Sequence, residues 1–136
     1  MSKNIVHLLL GTNLGNKNNN LELAKDLISK EIGEIIKLSN ILENEAEGFT
    51  SSNSFLNQRI IIQTNLSPIK VLYKIKEIEY KLGRVYEKPV YDEKFIDRLI
   101  DIDILLFNEI NFQSQLLKIP HHQLTTRSFM QNILYH

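Results

Sequence analysis

The sequence predicts an α+β domain assembled from split β-α-β units, on three observations. Apolar runs of strand length and stripes of helical spacing follow one another in the order β-α-β-β-α-β. Two polar stretches, 43–54 and 84–97, interrupt that order, and loops of about a dozen residues in a compact domain are usually functional or disordered. The chain has 136 residues, enough to bury a core, and no cysteine to staple one. This order builds a ferredoxin-like sandwich, in which a mostly antiparallel sheet carries both helices on one face. The other face and the long loops are then free to form a site.

Each element has its own signal. Residues 4–11, NIVHLLLG, form a short branched apolar run stopped by Gly11, which reads as a buried strand. Leu21, Ala24, Leu27, Ile28 and Ile32 keep helical spacing over 18–33, with an Asn to cap the start and Gly33 to end it. Residues 34–42 read as a second strand, 43–54 as a loop and 55–65 as a third strand. Ser67 then caps a helix whose first residue is Pro68, with an apolar stripe at Ile69, Leu72, Ile75, Ile78 and Leu82, closed by Gly83. Residues 84–97 form the second loop, and 100–107 the fourth strand. Residues 108–123 suit a hairpin and an excursion, and 125–136 a final helical turn or strand. No repeat, low-complexity tail or linker divides the chain, so a single domain over 1–136 is expected.

Lysine and arginine total 16, as do aspartate and glutamate, so the formal net charge is +0. No global field favours nucleic acid or a membrane surface. The absence of cysteine excludes disulfides and thiolate metal sites. The apolar run at the N-terminus is too short for a secretory signal, and no segment is long enough to span a bilayer. A cytoplasmic chain is expected, with no nucleic-acid or membrane partner.

The strongest chemical signal is RLIDIDILLF, residues 98–107. Ile100, Ile102, Ile104 and Leu106 alternate with Asp101, Asp103 and Leu105. Strand side chains at i and i+2 share a face, so two carboxylates aim at one region. Like charges so placed repel unless a cation lies between them, and Mg²⁺ takes one or two carboxylates together with substrate phosphates. A solvated strand face is the competing reading of the same spacing. Glu79 falls on the buried stripe of the second helix and needs a partner there. Arg84 just past the helix end is one candidate, and a site facing the aspartates another. The GTNLGN turn, 11–16, lacks the lysine of a phosphate loop and reads as a plain connection. His121 and His122 have no second ligand pair at useful spacing. Arg84, Arg98 and Arg127 are guanidinium forks suited to polyphosphate. Phe55 and Phe129 suit either core or a flat ligand. Asn57, two residues after Phe55, shares its face and offers donor and acceptor to a heterocycle edge.

In this order and at these spacings, LLLGTNLGN, FLNQ, KLGR, RLIDIDILLF, IPHH and RSFM resemble 6-hydroxymethyl-7,8-dihydropterin pyrophosphokinase, an enzyme family of folate biosynthesis. The resemblance runs from residue 4 to about 133, and the R-x-x-D-x-D strand with the P-H…R-x-F segment is its specific part. It implies a ferredoxin-like transferase that moves pyrophosphate from ATP to the pterin hydroxymethyl and releases AMP. Asp101 and Asp103 would hold two Mg²⁺ ions. Arg98 and His121 match positions that touch the phosphates, and Arg84 and Arg127 match mobile or flanking arginines, with Arg84 and Arg98 joining the aspartates as catalytic groups. Ile104, Leu117 and Lys118 fall at the adenosine pocket, and Glu79 joins the ATP-binding set. Phe55 and Phe129 match the rings that sandwich the pterin, Asn57 matches the amide that reads its edge, and Asn44, Glu45, Ala46 and Glu47 line that pocket. ATP and the pterin are the implied partners of a monomer or of part of a fused folate enzyme.

This chain departs from the pattern in three places. NEAEG replaces a Thr-x-Pro-x-Gly loop, Phe95, Ile96 and Asp97 stand where Trp-Gly-Pro is usual, and relatives continue beyond the position of His136. The same sandwich also suits a small binding module without catalysis, or a degraded copy of the enzyme.

Overall fold

A computed structural model describes residues 3–44, 54–83 and 99–108, together with two short strands at 112–113 and 118–119. The strands and helices run in the order β1 (Asn4–Thr12), α1 (Lys17–Glu31), β2 (Glu34–Leu38), β3 (Leu42–Asn44), β4 (Phe55–Thr64), α2 (Pro68–Lys81), β5 (Asp101–Phe107), β6 (Phe112–Gln113) and β7 (Lys118–Ile119). The main sheet has the order β2-β4-β1-β5, with β3 also on β4, and every pairing in it is antiparallel. β1 and β2 flank β4, which is the split β-α-β arrangement the sequence predicts, and the fold is α+β and ferredoxin-like. β6 and β7 pair as the expected hairpin, and β7 lies against β5.

The helices are where the apolar stripes place them. Asn16 caps α1 by accepting the Asn19 N–H at 3.1 Å, and Ser67 caps α2 by accepting the Lys70 N–H at 3.3 Å. Leu21, Ala24 and Ile28 of α1 and Val71, Ile75 and Ile78 of α2 meet Val6, Leu8 and Leu10 of β1, Ile60 and Ile62 of β4, and Ile102 and Ile104 of β5 in one core. Ile69, Leu72 and Leu82 of the expected stripe are partly buried against its rim.

Three local details differ from the sequence reading. Residues 34–42 are not one strand. Ser39 breaks the run because its Oγ accepts the Arg59 N–H at 2.9 Å, its N–H donates to the Arg59 carbonyl at 2.9 Å, and its own carbonyl accepts from Gln58 Nε2 at 2.9 Å. A serine side chain that bonds the facing backbone in place of a continued ladder ends β2 at Leu38, and pairing resumes at Leu42, inside what reads as a loop. Gly33 does not end α1 through a left-handed turn. It permits close approach, since a Cβ there would sit 2.1 Å from the Gln63 carbonyl oxygen. In β5 the expected alternation holds to Ile104. A register shift opposite His7 and Leu8 then resets it, so Phe107 rather than Leu106 enters the core.

Candidate active site

Alternation along three neighbouring strands decides what the open face of the sheet carries. In β1, Val6, Leu8 and Leu10 go to the helices, so His7, Leu9 and Gly11 point the other way. In β4 the same logic exposes Phe55, Asn57, Arg59 and Ile61 to the open face, and in β5 Asp101 and Asp103. Register then assembles rows. Asn57 pairs with Gly11 and Gly11 with Asp101, so these three form one line across the sheet. Arg59, Leu9 and Asp103 form the next.

The first row has a floor without a side chain. A Cβ on Gly11 would lie 3.1 Å from Asn57 Oδ1 and 3.9 Å from Phe55 Cδ1, so the glycine leaves room between the amide, the ring and Asp101. Phe55 is half-buried and Asn57 is 5% exposed. The start of β4 is held in place from α1. Lys17 Nζ donates to the Ser54 carbonyl at 3.2 Å, and Ser54 Oγ donates to Glu43 Oε2 at 2.9 Å. The turn after Gly11 is a structural connection. Asn20 Nδ2 donates to the Leu14 carbonyl at 2.8 Å and to Thr12 Oγ1 at 3.1 Å, and Thr12 donates in turn to the Leu99 carbonyl, two residues before Asp101.

Asp101 and Asp103 are half-buried on the open face, about 7 Å apart along the strand. Between them the backbone turns its N–H toward α2. Glu79, only 3% exposed, accepts the Ile102 N–H on Oε2 at 2.8 Å. Its buried carboxylate therefore fixes the peptide that separates the two aspartates. Ile104 lies in the helix-side core, on the face opposite the aspartates. No group of three or more His, Cys, Asp and Glu side chains converges among the described residues, and among them Asp101 and Asp103 are the carboxylates that β5 turns to the open face. That set fits Mg²⁺, which accepts two carboxylates and fills its other positions from phosphate and water.

Sequence reasoning missed Arg59 and His7. Arg59 is 5% exposed, and its Nη1 lies 3.2 Å from Nδ1 of His7. Burial lowers the pKa of Arg59. Burial first, then the charges of Arg59 and Lys37, lowers the pKa of His7 below its usual 6.5. The available signal was phase, since Arg59 follows Asn57 by two.

The structure thus brings together Phe55, Asn57, Asp101 and Asp103, with Glu79 behind them. Asn44 ends β3 opposite Phe55, and Lys118 falls in β7; both are described here as backbone only. Glu45, Ala46, Glu47, Arg84, Arg98, Leu117, His121, Arg127 and Phe129 lie outside the described residues. Among those described, no helix is long and apolar enough to cross a membrane.

Residues 7–136 match the sequence model of the 7,8-dihydro-6-hydroxymethylpterin-pyrophosphokinase family. The chain is 37% identical to a 2-amino-4-hydroxy-6-hydroxymethyldihydropteridine pyrophosphokinase of Porphyromonas gingivalis, over 93% of this chain and 86% of that one. It is 38% identical to the enzyme of the same name from Aquifex aeolicus, over 91% of this chain and 74% of the other. A folate synthesis bifunctional protein of Chlamydia caviae is 36% identical over 93% of this chain, which spans 29% of that protein. Among solved structures, the fold matches Plasmodium falciparum HPPK-DHPS with a TM-score of 0.75 at 18% identity, over 95% of this chain and 40% of that one. The extent of the family match and the identity to these enzymes establish that the chain belongs to the 7,8-dihydro-6-hydroxymethylpterin-pyrophosphokinase family.

Proposed function

We propose that the chain transfers a pyrophosphoryl group from ATP to 6-hydroxymethyl-7,8-dihydropterin, in the presence of Mg²⁺, and releases AMP. The observation that carries this reading is the first row of the open face. A ring, an amide and a carboxylate stand side by side over a glycine floor, with a second carboxylate one step further along β5.

In this reading Phe55 stacks on the pterin, and the Asn57 amide gives its edge a donor and an acceptor. Asn44, Glu45, Ala46 and Glu47 border the same pocket, and Phe129 closes it from the other side. The pterin hydroxymethyl oxygen attacks the β-phosphorus of ATP. The bond from that phosphorus to the bridging oxygen breaks, AMP leaves with the oxygen, and the hydroxyl proton passes to solvent. Asp101 and Asp103 would hold two Mg²⁺ ions, which when bound neutralise phosphate charge and acidify the attacking hydroxyl. Arg84, Arg98, His121 and Arg127 contribute cationic or hydrogen-bond donors to the phosphates, and Leu117, Lys118 and the Ile104 strand border the adenosine. Phosphoryl transfer of this kind depends on position and charge more than on covalent help. Glu79 acts as a positioning residue in this scheme, holding the Ile102 peptide so that both aspartates keep one face.

The relatives named as pyrophosphokinases and the bifunctional Chlamydia caviae protein support the reading, the latter showing this domain type within a longer folate enzyme. The test is product analysis by anion-exchange chromatography, with ATP, Mg²⁺ and the reduced pterin. Pterin-dependent AMP is expected. ADP instead of AMP, or no pterin-dependent nucleotide product, refutes it.

A further inference from the structure

The open face carries a second polar group, away from Asp101 and Asp103. Arg59 is almost wholly buried there, and its Nε has no hydrogen-bond partner. No carboxylate pairs with its guanidinium among the described residues. A buried guanidinium without a counter-charge is costly, and such groups are ordinarily paired. The neighbours of Arg59 increase the imbalance. Lys37 pairs with Ile61, and Ile61 with His7, so Lys37 and His7 flank one row across β2, β4 and β1. Lys37 is exposed and His7 half-buried, so the cluster opens to solvent on that side.

The donors point to one ligand class. Arg59 Nη1 donates to His7 Nδ1, which puts the hydrogen of the neutral ring on Nε2, where it is a donor. Register sets Lys37 one strand beyond Ile61 from His7, close enough for its charge to act on the His7 ring, so three cationic or donor side chains neighbour one another on this face. A carboxylate offers two oxygens in one plane, whereas a tetrahedral oxyanion can meet three separate donors. We propose that Lys37, His7 and Arg59 form a binding site for an oxyanion of the phosphate class, free or as the terminal group of a larger ligand. The site lies about 10 Å from Asp103, across β1.

The probe is inorganic phosphate, titrated into the full chain at constant ionic strength and neutral pH. The readout is the His7 ring resonances in a proton–carbon correlation spectrum. A saturable shift is expected with phosphate, a weaker one with acetate and none with chloride. Arg59→Gln should weaken the affinity by about tenfold or more, the scale of a hydrogen bond to a charged group. Lys37→Gln, at an exposed position, should weaken it about threefold. Asp101→Asn should leave it unchanged. Nucleoside monophosphate in place of phosphate reports whether a larger ligand is accepted, with its phosphate shifting His7 in the same way. The proposal falls if chloride matches phosphate, if acetate binds as tightly, if no saturable shift appears, or if Asp101→Asn removes it. Should Arg59→Gln fail to fold, Lys37→Gln decides, and unchanged affinity in that variant overturns the site.

Discussion

Replacing Glu79 by leucine tests how the pair of aspartates is held. The carboxylate is 3% exposed and accepts the Ile102 N–H at 2.8 Å. Leucine leaves that buried donor without its partner, which costs about 1–3 kcal/mol. A destabilisation of about 2 kcal/mol is therefore expected for Glu79→Leu. Glutamine keeps an acceptor oxygen at the same reach and loses only the charge-assisted part of the bond, so Glu79→Gln should cost about 1 kcal/mol or less. Urea unfolding followed by circular dichroism separates the two, read as a change in midpoint at a shared slope. Hydrogen exchange gives the local counterpart: the Ile102 amide should be protected in the native chain and in Glu79→Gln, and should exchange faster than its β5 neighbours in Glu79→Leu. The reasoning is refuted if Glu79→Leu matches the native stability, or if Ile102 exchange is unchanged. Equal damage from leucine and glutamine would show that charge, not the acceptor, is what α2 supplies to β5.

Gly33→Ala should destabilise the chain by about 1–3 kcal/mol, because its Cβ meets the Gln63 backbone at 2.1 Å rather than a side chain that can move; thermal unfolding checks this. Gly11→Ala should leave stability nearly unchanged but weaken pterin binding several-fold, with nucleotide binding intact, since its Cβ crowds the Asn57 amide at 3.1 Å; calorimetric titration of each ligand measures the split. The lowered pKa of His7, caused by burial and then by Arg59 and Lys37, sets a sign for pH. The unfolded chain takes up the His7 proton first, near 6.5, so this stabilising contribution is present above that pH and is lost as pH falls through the lower folded value. Native stability should thus drop more between pH 7.5 and pH 5 than that of His7→Gln, as measured by urea unfolding at both pH values.

Much of the fold was legible because phase and burial agree. Asp101 and Asp103 interrupt an isoleucine alternation, and Phe55 and Asn57 share a parity, so the face that carries them follows from the period of a strand. Asn16 and Ser67 act as caps of the expected kind. The details that escaped depend on partners distant in sequence. Ser39 looks like one polar residue in a strand until Arg59 lies opposite it. Gly33 suggests a helix end, but the Gln63 backbone that demands a glycine is thirty positions away. His7 and Arg59 sit inside apolar runs, where each alone suggests a tolerated polar residue, and only register brings them within hydrogen-bond distance. Glu79 was recognisable as a buried carboxylate, but the Ile102 N–H it accepts is backbone, which carries no side-chain signature.

The central claim is that Asp101 and Asp103 hold the metal that accompanies ATP. Paramagnetic Mn²⁺, added with a non-hydrolysable ATP analogue, tests it by broadening nearby backbone amide signals. The account predicts broadening centred on Asp101, Ile102 and Asp103, extending to Gly11, with the far end of the sheet around Asn4 and Thr64 unaffected. Asp101→Asn and Asp103→Asn should each weaken or abolish it while the remaining spectrum stays native. Broadening centred elsewhere, or undiminished in both variants, would contradict the assignment.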